Sequence, residues 1–262
     1  MQLLYGLHPV GEAIHAGNRH LETVLVARNR QDARLKAILD ACQATGIPVR
    51  LESKEHLTKL ARTETHQGVV AIVTERGYSS LQELVHAQGE HLFLLALDGV
   101  EDPHNLGALL RTADGAGIDG VILPERRSAQ VNATVAKTSA GAAEHMRIAR
   151  VTNLVRTLEE LKQENIWCVG LDERSDQNYD EFDFRRHCVL VLGGEGDGLH
   201  DLVRRTCDYL LRIPMAGRVS SLNVSVAGAV VMYEAIRQRR RGSSVGAATE
   251  QETKRPPKGL GS

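Results

Sequence analysis

Aromatic side chains are scarce in this 262-residue chain, at 3% of the total. A single-strand binder that stacks bases on exposed rings needs more of them, so that class is disfavoured. The four cysteines, Cys42, Cys168, Cys188 and Cys207, form no Cys-x-x-Cys pair. Neither a zinc site nor a disulfide framework is expected, and a reducing cytoplasm fits. The eleven histidines show no paired metal-ligand spacing and read as surface or loop residues, so no metal is expected. No charged-then-apolar leader is visible, and the longest apolar run, Leu92 to Leu97, is far too short to span a bilayer. Strong net charge is missing too: the formal value of −1 argues against coating nucleic acid by charge alone. Lysine is rare beside arginine. Guanidinium is the better bidentate partner for phosphate, which keeps local RNA contact open beside the plainer explanation of a GC-rich genome.

What is present is ordinary in bulk, with 42% hydrophobic and 25% charged residues and ample length for a core. The first seventy-odd residues alternate short strands, Val24–Ala27, Val49–Leu51 and Val69–Val73, with a helix over Arg30–Thr45 that stops at Gly46-Ile-Pro48. Ser53 is placed to cap a short following helix. This predicts a small α/β unit over residues 1–76, then a linker over 77–90 opened by the pattern break at Glu75–Ser80. A second alternation fills residues 91–240, with strands at Leu92–Leu97, Val121–Leu123, Trp167–Leu171, Val189–Leu192 and Tyr209–Ile213. These are continuous apolar runs, as expected of strands buried on both faces of a parallel sheet. Helices are predicted at Asn105–Ala116, Val131–Ala143, Thr152–Glu164, Asp197–Thr206 and Ser221–Arg237, and a disordered polar tail over 241–262.

Three runs in this second half combine glycine, polar residues and a single charge in a way that packing alone does not require. The first, Asp98 to Ala113, follows a strand: Asp102-Pro103 forces a turn, Asn105 is placed as a helix cap, and Arg111 lies off the apolar stripe. Its guanidinium is expected to reach back over the preceding loop. Taken alone, the run also fits a capped surface helix with one solvated Arg. The second, Gly193-Gly-Glu195-Gly-Asp-Gly198, misses the dinucleotide fingerprint because the last position from Gly194 is Leu199, and no Gly-Lys-Ser/Thr closes a Walker loop. A tight strand-to-helix turn or a loop gripping a ligand along its backbone both remain. The third, Ile213-Pro-Met-Ala-Gly followed by Ser220-Ser221-Leu222-Asn223, leads into a helix rich in small residues, and no Gly-x-Ser-x-Gly elbow marks a hydrolase.

In this order and spacing the three runs resemble the motifs of the SpoU (TrmH-like) branch of the SPOUT RNA methyltransferases. Upstream, Tyr5-Gly-Leu-His-Pro-Val10 and His66-Gln-Gly-Val-Val-Ala71 are similar to the RNA-substrate-binding domain that precedes the catalytic domain in the RlmB-type branch. The resemblance implies an α/β, trefoil-knotted parallel-sheet domain behind a small α/β RNA-binding domain. It implies transfer of a methyl group from S-adenosylmethionine to a guanosine 2′-hydroxyl of 23S ribosomal RNA. The alternatives are a transfer RNA target by the same mechanism, or an RNA-binding relative without activity. By position, Gly193, Ile213 and Leu222 would contact the cofactor, and Asn105, Arg111, Glu195, Ser221 and Asn223 would surround the reacting centre. A cytoplasmic homodimer, packed through the small residues of the last helix, is expected as well. The N-terminal unit, with Arg19, Arg28, Arg30, Arg34 and Lys36, would touch RNA phosphates.

Overall fold

The structure, a computed structural model, describes the chain from Met1 to Glu252 except residues 29, 31, 87–90 and 197. It contains two sheets. The first gathers β1 (Gln2–Tyr5), β2 (Leu21–Ala27), β3 (Val49–Glu52) and β4 (Val69–Val73) in the order β1-β4-β2-β3, with α1 (Leu7–Ala16), α2 (Ala33–Thr45) and α3 (Lys54–Ala61) between them. β4 lies antiparallel to both β1 and β2, while β3 runs parallel to β2. Local chemistry sets the helix limits. Asp32 caps α2 by accepting from the Arg34 and Leu35 amides, Gly46 closes it at φ +72°, and Ser53 caps α3 through the His56 amide. β1 and α1 are additions to the sequence reading, which found no signal in so short a strand beside Gly6. His66, expected at the surface, is buried, its ring bonded to Thr58 Oγ1 and the Gly68 amide.

The second sheet has six strands: β5 (Phe93–Asp98), β6 (Gly120–Pro124), β7 (Ile148–Val151), β8 (Trp167–Leu171), β9 (Cys188–Gly193) and β10 (Tyr209–Leu211). Their order is β10-β8-β9-β5-β6-β7 and every pairing is parallel, as the continuous apolar runs predict. β5 is buried at all six positions, with Leu95 and Leu97 in one core and Leu94 and Ala96 in the other. Around the sheet lie α4 (Leu81–Val85), α5 (Pro103–Gly115), α6 (Ala133–Thr138), α7 (Leu154–Gln163), α8 (Asp201–Thr206) and α9 (Val224–Glu252). No helix among the described residues is long and apolar enough to cross a membrane.

The structure corrects several element limits. The stretch read as a linker carries α4, opened by a Ser80–Glu83 capping box, and Leu84 is fully buried. α8 begins at Asp201 rather than 197, and α9 runs past Arg240 to Glu252, because Ala, Arg, Gln and Glu propagate a helix that two glycines do not stop. The rest of the expected tail, 253–262, lies outside the described residues. The small residues of α9 pack within the chain: a Cβ at Gly228 would sit 2.7 Å from Leu109 and 2.8 Å from Leu192.

Contacts also tie the two sheets' units together. Arg19, expected to face RNA, forms a paired ion bridge with Glu144 at 2.7 and 2.9 Å, both side chains 1% exposed. Asn18 donates to the Glu144 carbonyl, Lys137 to Gln67, and Glu12 meets His145 at 2.7 Å. Arg30, another expected RNA contact, is spent on Asp32 and the Gln67 carbonyl.

Candidate active site

β5 and β9 pair in register from Phe93↔Cys188 to Asp98↔Gly193. Their carboxyl ends, and the loops that follow, therefore emerge side by side. In open α/β sheets this is where ligands bind, at the strand ends where the connections diverge.

After β5, Asp102 caps α5 by accepting from the His104 amide, and Pro103 occupies the first helical turn. Asn105, expected as the cap, instead sits within that turn, because Asp-Pro sets the start two residues earlier. It is 7% exposed and turned toward the second loop. After β9, the loop folds back so that Gly194 and Gly198 bridge each other, with Gly196 and Gly198 at positive φ. A Cβ at Gly193 would lie 2.0 Å from the Gly198 carbonyl carbon, and one at Gly194 2.3 Å from the Gly99 oxygen. Side chains are thus excluded where backbone passes backbone. After β10, the chain runs past the half-buried Ile213 and Met215 and is exposed from Ala216 to Asn223, whose Oδ1 accepts from the Ser225 amide and hydroxyl and so starts α9.

The three loops meet at one carboxylate. Glu195 Oε1 accepts from Asn105 Nδ2 at 2.6 Å and from Asn223 Nδ2 at 2.7 Å, and Asn223 also donates to Asn105 Oδ1 at 3.1 Å. Charge-assisted bonds from both amides hold the carboxylate in place. On one side lies a cavity of about 540 Å³ lined by Gly193, Glu195, Ile213, Ser221, Leu222 and Asn223, among others. Asp172 edges it, bound by Arg174 and by Arg204 at 2.6 Å. Burial alone would raise that carboxyl, but the two arginines hold it below the usual carboxylate range. On the other side lies a second cavity of about 410 Å³ that shares Gly194, Glu195, Gly198 and Val224 with the first.

Of the eight residues singled out from sequence, six line the larger cavity, and Asn105 joins them through Glu195. Arg111 is not brought in: it is exposed, lines neither cavity, and makes no hydrogen bond or ion pair among the described residues. Besides Asp172 and its arginines, His200 and Arg127 escaped sequence reading. Asp98 accepts from the His200 amide at 2.8 Å and from its Nδ1 at 2.9 Å, and Arg127 approaches His200 Nε2 at 3.5 Å. These residues lie up to 102 positions apart, and only the pairing of β5 with β9 suggests that they meet. No group of His, Cys, Asp and Glu suited to a metal ion occurs among the described residues.

A profile of the SpoU rRNA methylase family matches residues 92–233, and one for RNA 2′-O ribose methyltransferase substrate binding matches residues 3–79. The 23S rRNA (guanosine-2′-O-)-methyltransferase RlmB of Escherichia coli K12 is 43% identical over 241 residues, 91% of this chain and 99% of that protein. Among solved structures, the SpoU methyltransferase AviRb from Streptomyces viridochromogenes in complex with AdoMet superposes with a TM-score of 0.78 at 28% identity, covering 92% of this chain and 91% of that one. An AdoMet-bound rRNA methyltransferase from Sinorhizobium meliloti gives 0.76 at 28%, covering 90% and 87%.

Proposed function

Because the chain belongs to the SpoU rRNA methylase family, we propose that it methylates a guanosine ribose 2′-hydroxyl in 23S ribosomal RNA, with S-adenosylmethionine as donor. The observation that carries this reading is the Asn105–Glu195–Asn223 junction between two adjoining cavities, on a chain that spans nearly the whole of a relative bearing that activity.

The larger cavity fits the cofactor. Bare backbone at Gly193 and Gly194 offers amides and carbonyls, while Ile213 and Leu222 add apolar wall. Glu195, held by neutral amides alone, brings negative charge suited to a positively charged donor, whereas Asp172 is already paired with Arg174 and Arg204. When bound, the sulfonium supplies an electrophilic methyl. The chain's task is to seat the ribose hydroxyl in line with it and to stabilise charge as the proton leaves. Glu195, locked by the two asparagines, positions the reactants, and Ser221 contributes a hydroxyl to the cofactor side. The Arg111 guanidinium, exposed and without a hydrogen bond or ion pair among the described residues, serves to hold a neighbouring phosphate and steady the developing alkoxide.

The same reading extends to assembly and place of action. Val219, Leu222, Val226 and Tyr233 are exposed apolar side chains on the third loop and α9, which supports a homodimer through these elements. A trefoil knot, formed as the second and third loops pass each other, and a cytoplasmic site of action complete the proposal. The decisive test is tritium transfer from labelled S-adenosylmethionine to ribosomal RNA lacking the modification, with EDTA present. Label in 2′-O-methylguanosine of the large-subunit RNA is expected. Label only in transfer RNA, or none, would overturn the assignment.

A further inference from the structure

The smaller cavity has no part in holding the cofactor as described above, yet it adjoins that site across Glu195. Its other walls come from Gly99, Glu101, Asp102, Asn105, Arg127 and His200. A ligand seated there would lie on the far side of Glu195 from the methyl donor, where the acceptor nucleotide has to be.

Its charge pattern is mixed in a telling way. Arg127 offers a guanidinium, while Glu101 and Asp102 offer carboxylates. A phosphate would meet repulsion from the two acids, and a sugar alone uses neither charge. A base edge that both donates and accepts uses both. Among the four bases only guanine sets two donors, N1–H and the N2 amino group, side by side for one carboxylate, with O6 and N7 left for a bidentate arginine. Asp102 already spends one oxygen on capping α5. Glu101 is exposed and makes no hydrogen bond or ion pair among the described residues, so its carboxylate is the one available.

Arg127 is held as a reading group would be. Its backbone sits at φ +54°, a left-handed conformation that non-glycine residues rarely take without compensation. His200 accepts from its Nη1 at 3.5 Å, and Asp98 holds His200 through ring and backbone at 2.9 and 2.8 Å. Gly99 lies beneath that ring, where a Cβ would be 3.2 Å from Cε1. Held at Nδ1 by Asp98, the His200 ring turns Nε2 toward Arg127 Nη1, which orients the guanidinium while leaving its other N–H groups for a ligand.

We propose that this second cavity reads the guanine of the target nucleotide, Arg127 binding the O6/N7 edge and Glu101 the N1/N2 edge, with His200 and Asp98 as positioning residues. The inference rests on the guanosine reading above. It is tested with the full-length chain, unmodified ribosomal RNA and S-adenosylmethionine, using Arg127→Lys, Arg127→Ala, Glu101→Gln and His200→Ala. Arg127→Ala and Glu101→Gln should lower kcat/KM for RNA on the order of ten- to a hundredfold, with calorimetric affinity for S-adenosylmethionine unchanged. Arg127→Lys should recover little, since one ammonium cannot make the bidentate contact. Glu101→Gln should also raise the share of 2′-O-methylated nucleosides other than guanosine in digests of the product. His200→Ala should cost less than Arg127→Ala and add nothing to it in the double variant. Normal RNA kinetics and unchanged guanosine selectivity in both Arg127→Lys and Glu101→Gln would overturn the proposal, as would a matching loss of cofactor affinity. If the wild-type chain labels no ribosomal RNA, the fault lies with the functional assignment instead.

Discussion

Glu195 takes two amide hydrogen bonds on a single oxygen, and that crowding makes its charge matter more than its shape. Glu195→Gln keeps the volume but sets an amide or a neutral carbonyl against both asparagines. Bonds to a charged acceptor are worth about 1.5–3 kcal/mol, so methyl transfer should fall by at least tenfold while the chain stays folded; unchanged single-turnover rates would remove Glu195 from the mechanism. Arg111 tests a different idea. Arg111→Ala should abolish transfer with little change in cofactor affinity, because the residue lies outside the cofactor cavity. Arg111→Lys should keep measurable activity if positive charge alone is needed, and lose nearly all of it if a bidentate phosphate clamp is needed. The thiols give a pH prediction. Burial pushes Cys168, Cys188 and Cys207 up to about 12 and raises Cys42 as well. At pH 8 all four stay protonated, so the native protein should react slowly with a disulfide reagent and expose four thiols only in denaturant. At this scale the sequence marked Glu195, Asn105 and Asn223 as site residues through the resemblance of their motifs to a family; read alone, Asn105 fitted a helix cap. It could not mark His200 or Arg127, whose partners lie far along the chain.

Among elements, the second loop is the least tolerant of change. Gly193→Ala and Gly194→Ala place a methyl group 2.0 and 2.3 Å from backbone atoms that cannot move independently. Both variants should lose cofactor binding by calorimetry even where circular dichroism shows the sheet intact. Retained binding would mean that the loop relaxes in ways this geometry does not suggest. Strands were legible because burial on both faces demands unbroken apolar runs, and β8 matched to the residue. The start of α5 was misplaced although Asp102-Pro103 carried the signal, since Asn105 looked like an equally good cap. α9 was legible as a helix, but whether its small residues faced a partner or its own core depended on where α5 came to rest.

For the molecule as a whole, the Arg19–Glu144 bridge sets the strongest expectation. Arg19→Ala leaves Glu144 buried without its main partner, and breaking such a pair typically costs about 3–5 kcal/mol. Arg76, whose guanidinium burial pushes below its ordinary range, lies close enough to Glu144 to soften the loss. Urea unfolding of the full chain should reveal the drop, or a separate early transition if the two units come apart; a wild-type curve would show the bridge to be dispensable. A chain starting near Ser80 removes Arg19 and its cover together and lets water reach Glu144. It should still fold and bind S-adenosylmethionine, since all three loops lie beyond residue 97, yet lose methylation of its natural RNA. Light scattering near twice 28.7 kDa is expected for the intact chain, and Tyr233→Lys should shift it toward the monomer.

What the sequence determined by itself was local chemistry: parallel strands from apolar runs, the Ser53 helix cap, and a backbone-exposing loop where four glycines fall in six residues. Its motif spacing was enough to indicate the family as well. Tertiary structure decided which of those parts meet. The β5–β9 pairing brings Asp98 beside Gly193, joins three loops on Glu195, and opens a second cavity next to the first. It also turned Arg19 from an expected RNA contact into a buried tether, and left Arg111 outside both cavities. The physical reason is range. Propensity and capping act over a few residues and can be read along the chain, whereas burial and ion pairing depend on neighbours that only the packed sheets supply.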